Sequence, residues 1–203
     1  MPGILAQARQ AGVRRVVLLS GGSAGSGDMT NAVTAYMVRS ETAVRESGLS
    51  WTLLRPAAFM SNALRWKPKL AAGDVLRLPF SGVRTATVDP FDIAAVAAAA
   101  LTEDGHEGQI YQPTGPQSLL PAEQVEILAR ALGRDLQFEA QPDDEARAEM
   151  SANTPPQYVD AFFDFYVAGS LDESAVLPTV QEVTGRAPRT FEEWTREHAG
   201  EFA

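Results

Sequence analysis

Residues 47–62, SGLSWTLLRPAAFMSN, decide how the rest of the chain is read. A glycine that stops a helix, a short β-rich run and an Arg-Pro brake follow one another directly. That order describes a helix, a buried strand and a loop at the strand's carboxyl end. Trp51, Thr52, Leu53 and Leu54 supply the strand, and Pro56 has no N–H for a ladder, so pairing is expected to end there. Open α/β sheets hold their chemistry in the crevice beyond the carboxyl ends of their strands. Phe59, Met60 and Asn62 fall in that crevice.

Upstream, residues 13–20 (VRRVVLLS) form a continuous apolar run without alternation, which predicts a central parallel strand covered on both faces. Residues 2–11 read as a helix closed by Gly12, and Thr30 or Asn31 caps a second helix that reaches to about Ser47. Downstream, residues 67–73 give a short helix with a glycine stop. Residues 75–79 and 85–88 read as short strands flanking a Ser81-Gly82 turn. DPFDIAAVAAAAL, residues 89–101, is a helix with Asp89 as N-cap, Pro90 at the first helical position and Asp92 near the positive end of the dipole. A short strand at 108–112, a helix from 122 to 132 closed by Gly133 and a last strand at 136–139 precede the acidic stretch 143–149. The remainder reads as two or three helices around Tyr158, Phe162, Phe163, Phe165 and Tyr166, an aromatic group whose helical spacing predicts core packing. Pro155-Pro156 marks the expected junction between an α/β portion, 1–154, and a helical C-terminal cap, 155–203. The fold class is therefore α/β, a partial doubly wound parallel sheet with a mostly helical cap.

A chain of 203 residues with 45% apolar and 21% charged residues can bury a core, which excludes a disordered or fibrous chain. Twenty-six acidic residues against 17 basic ones give a net charge of −9 and argue against nucleic acid or an anionic membrane as partner, since both need a basic footprint. A small molecule or another protein is the expected partner. The absence of cysteine removes disulfides and thiolate chemistry, and two distant histidines give no support to a zinc cluster, so no metal is expected. With neither a leader nor an apolar run of membrane-spanning length in this sequence, the expected location is cytoplasmic.

The loop SGGSAGSG, residues 20–27, follows a strand and precedes a helix, and Gly21, Gly25 and Gly27 match the G-x-x-x-G-x-G spacing by which a dinucleotide's pyrophosphate approaches backbone amides. Asp28 at the helix entrance opposes a phosphate there, and a flexible loop over the sheet edge explains the same residues. Four blocks, AGVRRVVLLS, SETAVRESGLSWTLLRPAAFMSN, VDPFDIAAVAAAALTEDGHEGQIYQPTGP and VQEVTGRAPRTFEEW, together resemble the NmrA-like group of atypical short-chain dehydrogenase/reductase proteins, in that group's order and spacing.

The resemblance implies a Rossmann-like fold, NADP or NAD as cofactor, and a nicotinamide resting against Ser20, Gly21, Gly22, Arg55, Pro56 and Ala57. Phe59, Met60, Asn62 and Trp66 would then wall the acceptor pocket. It also aligns residues 13–20 with the fifth strand of the family's sheet, so the glycine fingerprint is expected upstream of residue 1. From that follow weak nucleotide binding by this chain and an unpaired strand edge that favours a homodimer. The Tyr-x-x-x-Lys pair of classical members would fall at Val33 and Met37, neither of which moves protons. No catalytic residue is thereby assigned. Two functions compete: an NAD(P)H-dependent oxidoreductase reducing a small aromatic or quinone-like acceptor, and a non-catalytic NAD(P)-sensing or regulatory protein. A third reading takes the chain as the downstream part of a longer product.

Overall fold

The computed structural model describes residues 2–202. Its elements run α1 (Pro2–Gln10), β1 (Arg15–Leu19), a 3-10 turn at Gly22–Ser26, α2 (Ala32–Arg45), β2 (Ser50–Leu54), a 3-10 stretch at Met60–Trp66, α3 (Lys67–Ala72) and β3 (Val75–Leu78). They continue with α4 (Pro90–Thr102), β4 (Ile110–Tyr111), α5 (Pro121–Leu132), β5 (Gln137–Ala140), α6 (Asp143–Ser151), α7 (Pro156–Tyr166), α8 (Thr179–Thr184) and α9 (Phe191–Glu197).

β2 is the organising strand. It pairs in parallel with β1 on one side, Leu18 facing Leu53, and with β4 on the other, Leu54 facing Tyr111. Because successive strand residues point to opposite faces, Leu53 joins Leu5, Val44 and Leu49 beneath α1 and α2, while Leu54 joins Val88, Ile93, Val96 and Val180 beneath α4 and α8. Both leucines are essentially sealed, at 0% and 1% exposure. Val16 and Leu18 of β1 pack into the first cluster and Val17 into the second, so the apolar run 13–20 is explained by helices on both faces. A second, two-stranded parallel sheet joins β3 to β5, and its core is shared with α3, α5 and α9 through Leu76, Leu128, Phe191 and Trp194.

Two expectations are corrected. The run 13–20 does not become a central strand: β1 pairs with β2 alone, and among the described residues no strand lies along its other edge. Residues 75–88 do not form a hairpin. β3 alternates exposed Val75 and Arg77 with buried Leu76 and Leu78, and its buried face is satisfied by β5, so Leu76 pairs with Phe138. Phe80, at φ 56°, turns the chain away, and Thr85 and Val88 enter only isolated bridges, to Leu119 and Phe59. The 85–88 segment is squeezed between the loop after β2 and residues 115–119. A Cβ at Gly115 would lie 2.0 Å from the Thr87 carbonyl oxygen, so only glycine permits that approach.

Caps fall where the side-chain chemistry puts them. Asn31 Oδ1 accepts from the amides of Val33 and Thr34, and Asp89 accepts from Phe91. Gly133 closes α5 at φ 63°. The C-terminal helices spread over the body: α7 packs on α2 and α6, α8 on α4, and α9 on α5. Asp92, fully buried, fastens this arrangement by accepting from Arg186 Nη2 at 3.0 Å and from the Arg189 amide at 2.7 Å.

Candidate active site

Adjacent parallel strands deliver their following loops to one edge of the sheet. The ladder runs past the strand ends, with Ser20 N–H donating to Leu54 O at 2.8 Å, Arg55 N–H to Tyr111 O at 2.7 Å and Ala57 N–H to Pro113 O at 3.1 Å. The loops 20–22 and 55–59 therefore leave side by side. The second is tied to the squeezed segment, since Val88 N–H donates to Ala58 O and Met60 N–H to Val88 O.

A buried carboxylate locks the two loops together. Glu41, on α2 and 2% exposed, accepts from Ser20 Oγ and Arg55 Nε, each at 2.8 Å, and from Arg55 Nη2 at 2.7 Å; Arg45 adds a pair at 3.2 Å. Burial by itself would raise the Glu41 pKa, but the hydrogen bonds from Arg55 and Ser20 and the charges of Arg55 and Arg45 outweigh it and hold the carboxyl below the usual range. The same pair raises the Arg55 pKa. Arg55 is thus occupied as a loop clamp.

In front of these loops opens a cleft of about 340 Å³. Ser20, Gly21, Gly22, Pro56, Ala57, Phe59 and Asn62 line it, so the structure brings these sequence-predicted residues together. Arg55 turns behind the floor onto Glu41. Met60 and Trp66 are not brought to the cleft: Met60 is sealed at 2% exposure in the core around Leu76 and Trp194, and Trp66 packs against that core. The 3-10 geometry at Met60–Trp66 turns Phe59 and Asn62 one way and Met60 the other. Val33 and Met37 also face the cleft. Its wall is therefore apolar where the classical Tyr/Lys pair would stand.

The far wall comes from residues the sequence reading assigned to core or passed over: Phe162, Phe165 and Tyr166 on α7, then Leu171 and Glu173 in the segment that follows. The aromatic spacing was a visible signal, but it fits a core stripe equally well. Nothing in the sequence joins Tyr166 to Glu173. In the fold Tyr166 Oη donates to Glu173 Oε2 at 2.9 Å. Burial pushes the Glu173 carboxyl up, opposed in part by hydrogen bonds from Tyr166 and the Ala58 backbone. Burial and then the charge of Glu173 drive the Tyr166 phenol far above its ordinary value.

The floor fits a flat ring. Gly21, Gly22, Ala57 and Ala58 place nothing larger than a methyl group there, so a nicotinamide can lie against backbone. The neighbouring groove beside Gly22–Ser26 is lined by Asp28 and Asp164, and the Arg55 guanidinium that reaches Gly25, 3.5 Å from where a Cβ would stand, is committed to Glu41, which does not suit a diphosphate. Among the described residues no group of carboxylates and histidines could hold a metal, and no helix is long and apolar enough to cross a membrane.

Comparison with known proteins agrees with this architecture. The NAD(P)H-binding family pattern matches residues 1–104. The chain is 43% identical over 201 residues to the (4-alkanoyl-5-oxo-2,5-dihydrofuran-3-yl)methyl phosphate reductase of Streptomyces griseus, covering 98% of this chain and 71% of that protein. It is 35% identical to the NAD(P)H azoreductase of Xenophilus azovorans, covering 98% and 70%. Among solved structures, the NADPH-dependent quinone oxidoreductase of Escherichia coli in complex with NADPH superimposes with a TM-score of 0.78 at 22% identity, over 97% of this chain and 69% of that one. The triphenylmethane reductase of a Citrobacter species with NADP(H) gives 0.76 at 19% identity, over 98% and 69%. With a parallel sheet covered on both faces, loops that converge at its carboxyl edge and these matches in sequence and shape, the chain belongs to the NAD(P)H-binding, NmrA-like family of atypical short-chain dehydrogenase/reductase proteins.

Proposed function

We propose that the chain is an NAD(P)H-dependent reductase of small, flat, electron-poor acceptors, aromatic, quinone-like or conjugated lactones. The observation that carries this reading is the cleft itself: a small-residue floor at the carboxyl edge of β1 and β2, facing an aromatic wall from α7. Bound NAD(P)H supplies a hydride equivalent. The chain's part is to seat the nicotinamide on residues 20–22 and 55–57, to hold those loops rigid through Glu41, and to stack the acceptor between Phe59 and Phe162 away from water. Arg65, exposed at the rim and without an ion-pair partner among the described residues, suits an acceptor bearing an anionic group, as the phosphate ester of the Streptomyces relative does.

Incubating the chain with NADPH or NADH and either a quinone or a butenolide phosphate tests the proposal, read as loss of nicotinamide absorbance that requires both protein and acceptor. Apolar Val33 and Met37 at the cleft favour the second reading, a nucleotide-sensing protein without turnover. Nucleotide binding with no acceptor reduced would establish it instead. On this reading the chain seats the nicotinamide end while the groove beside it presents Asp28 and Asp164 and the nearby Arg55 is engaged by Glu41, so calorimetry is expected to give a dissociation constant weaker than about 1 μM, less than about 8 kcal/mol of binding.

We further propose that residues 155–203 act as a cap over residues 1–154, supported by α7 walling the cleft. A cytoplasmic location and self-association through β1 complete the reading; the uncovered edge of β1 supports the latter.

A further inference from the structure

Reduction of a quinone-like acceptor is half finished when the hydride arrives. The acceptor then carries two added electrons and one added hydrogen, and one oxygen still needs a proton. The residues at the positions of the classical proton-transfer pair, Val33 and Met37, have none to give. The cleft does contain a hydroxyl and a carboxyl on its opposite wall. Tyr166 and Glu173 both line it, their oxygens 2.9 Å apart, on either side of the exposed turn at 168–170.

We propose that Tyr166 is the proton donor to the reduced acceptor, with Glu173 as its reservoir, an assignment that rests on the reductase reading above. The acceptor oxygen takes the proton from Tyr166 as its O–H bond breaks. The Glu173 carboxyl turns to donate its proton to Tyr166 Oη in the same movement, so that no free phenolate forms at a phenol whose pKa is high, and the carboxylate regains a proton from solvent. Electrons enter only with the hydride, so the step balances.

Three features hold the pair in place. The main chain of Glu173 is fixed by the Ala86 amide, which donates to its carbonyl at 2.7 Å. The ring of Tyr166 packs against Phe80, centroids 5.1 Å apart, and against Phe165 at 6.2 Å. The second oxygen of Glu173 faces Gly22 on the floor, 3.9 Å from where a Cβ would stand. Around the pair, Arg65 is the cation acting on Tyr166, while neighbouring Asp172 turns away to the Ser174 amide. Burial raises the Glu173 pKa, which favours the protonated carboxyl that the reservoir requires.

The 203-residue chain is compared with Tyr166→Phe and Glu173→Gln on two acceptors. A quinone needs hydride and proton; a triarylmethyl cation needs hydride alone, because its product is neutral. Each variant should lower the ratio of quinone to cation turnover about 100-fold, any loss of folding, cleft shape or nucleotide binding being shared by both acceptors and cancelling in the ratio. Wild-type quinone reduction should fall as pH rises through the raised carboxyl pKa, a dependence that Glu173→Gln removes. Independently of turnover, infrared spectra followed upward from acid should show a protonated carboxyl band that outlasts the ordinary carboxylates and is missing from Glu173→Gln. Equal slowing of both acceptors, no slowing of either, or no such band overturns the assignment while the reductase reading stands. A wild-type chain that reduces neither acceptor overturns both.

Discussion

At the scale of single residues the decisive group is Glu41, one carboxylate that receives four hydrogen bonds, three of which join two loops. Its net favourable state is a charge kept from water by its partners, so removing it leaves Arg55 buried and uncompensated. Glu41→Gln is expected to lose about 3 kcal/mol at neutral pH in urea unfolding, because breaking a buried pair costs more than the pair is worth. The pH dependence has a defined sign. The folded-state pKa of Glu41 is lowered, so its contribution is present above the unfolded value and is lost as pH falls through the folded one. The gap between wild type and variant should therefore be widest near neutrality and narrow in acid. This role of Glu41 is not legible in the sequence, because its partners Ser20 and Arg55 lie 21 and 14 positions away and meet it only once β1 and β2 are paired.

At the scale of elements, α2 and α7 form the two walls of the cleft, and Asn31 connects them. Its Oδ1 caps α2, while Nδ2 donates to Ala161 O at 3.2 Å and to Asp164 Oδ2 at 2.9 Å on α7. Asn31→Ala removes the cap and frees the α7 contacts, for an expected loss of about 1–2 kcal/mol. Thermal unfolding measures that loss, and a raised KM for the acceptor with little change in kcat would show that the walls have separated. Elements with local punctuation were legible: Asp89-Pro90 opens α4 and Gly133 closes α5, each by chemistry within one turn. The partner of β3 was not, since β5 lies about 60 residues downstream and a Ser81-Gly82 turn suggests a hairpin by its local chemistry alone. For the same reason Phe59 and Asn62 could be placed in the crevice from the strand ending at Pro56, whereas Met60, one residue on, turns into the core under the control of a 3-10 twist.

At the scale of the whole molecule, the edge of β1 opposite β2 presents an apolar strand to solvent, with Leu19 50% exposed. Such an edge is a template for pairing with another chain, and covering it would remove apolar area from water at roughly 25 cal/mol per Å². Light scattering is expected to show dimers or larger species whose fraction grows with concentration, and Leu19→Lys should shift the population towards monomer. A wild-type chain that stays monomeric at high concentration would mean that the edge is protected in some other way.

The segment between α7 and α8 has a different consequence. It reaches the body through few main-chain ties, Glu173 O to the Ala86 amide and the Leu177 amide to Thr114 Oγ1. Yet it brings Leu171 and Glu173 to the cleft, while residues 168–170 face solvent. On the reductase reading proposed above, acceptor choice is expected to be separable from the scaffold. Libraries that vary length and composition at 168–172 can explore new substrates without disturbing the sheet, and grafting this stretch between relatives should transfer preference as an exchangeable part.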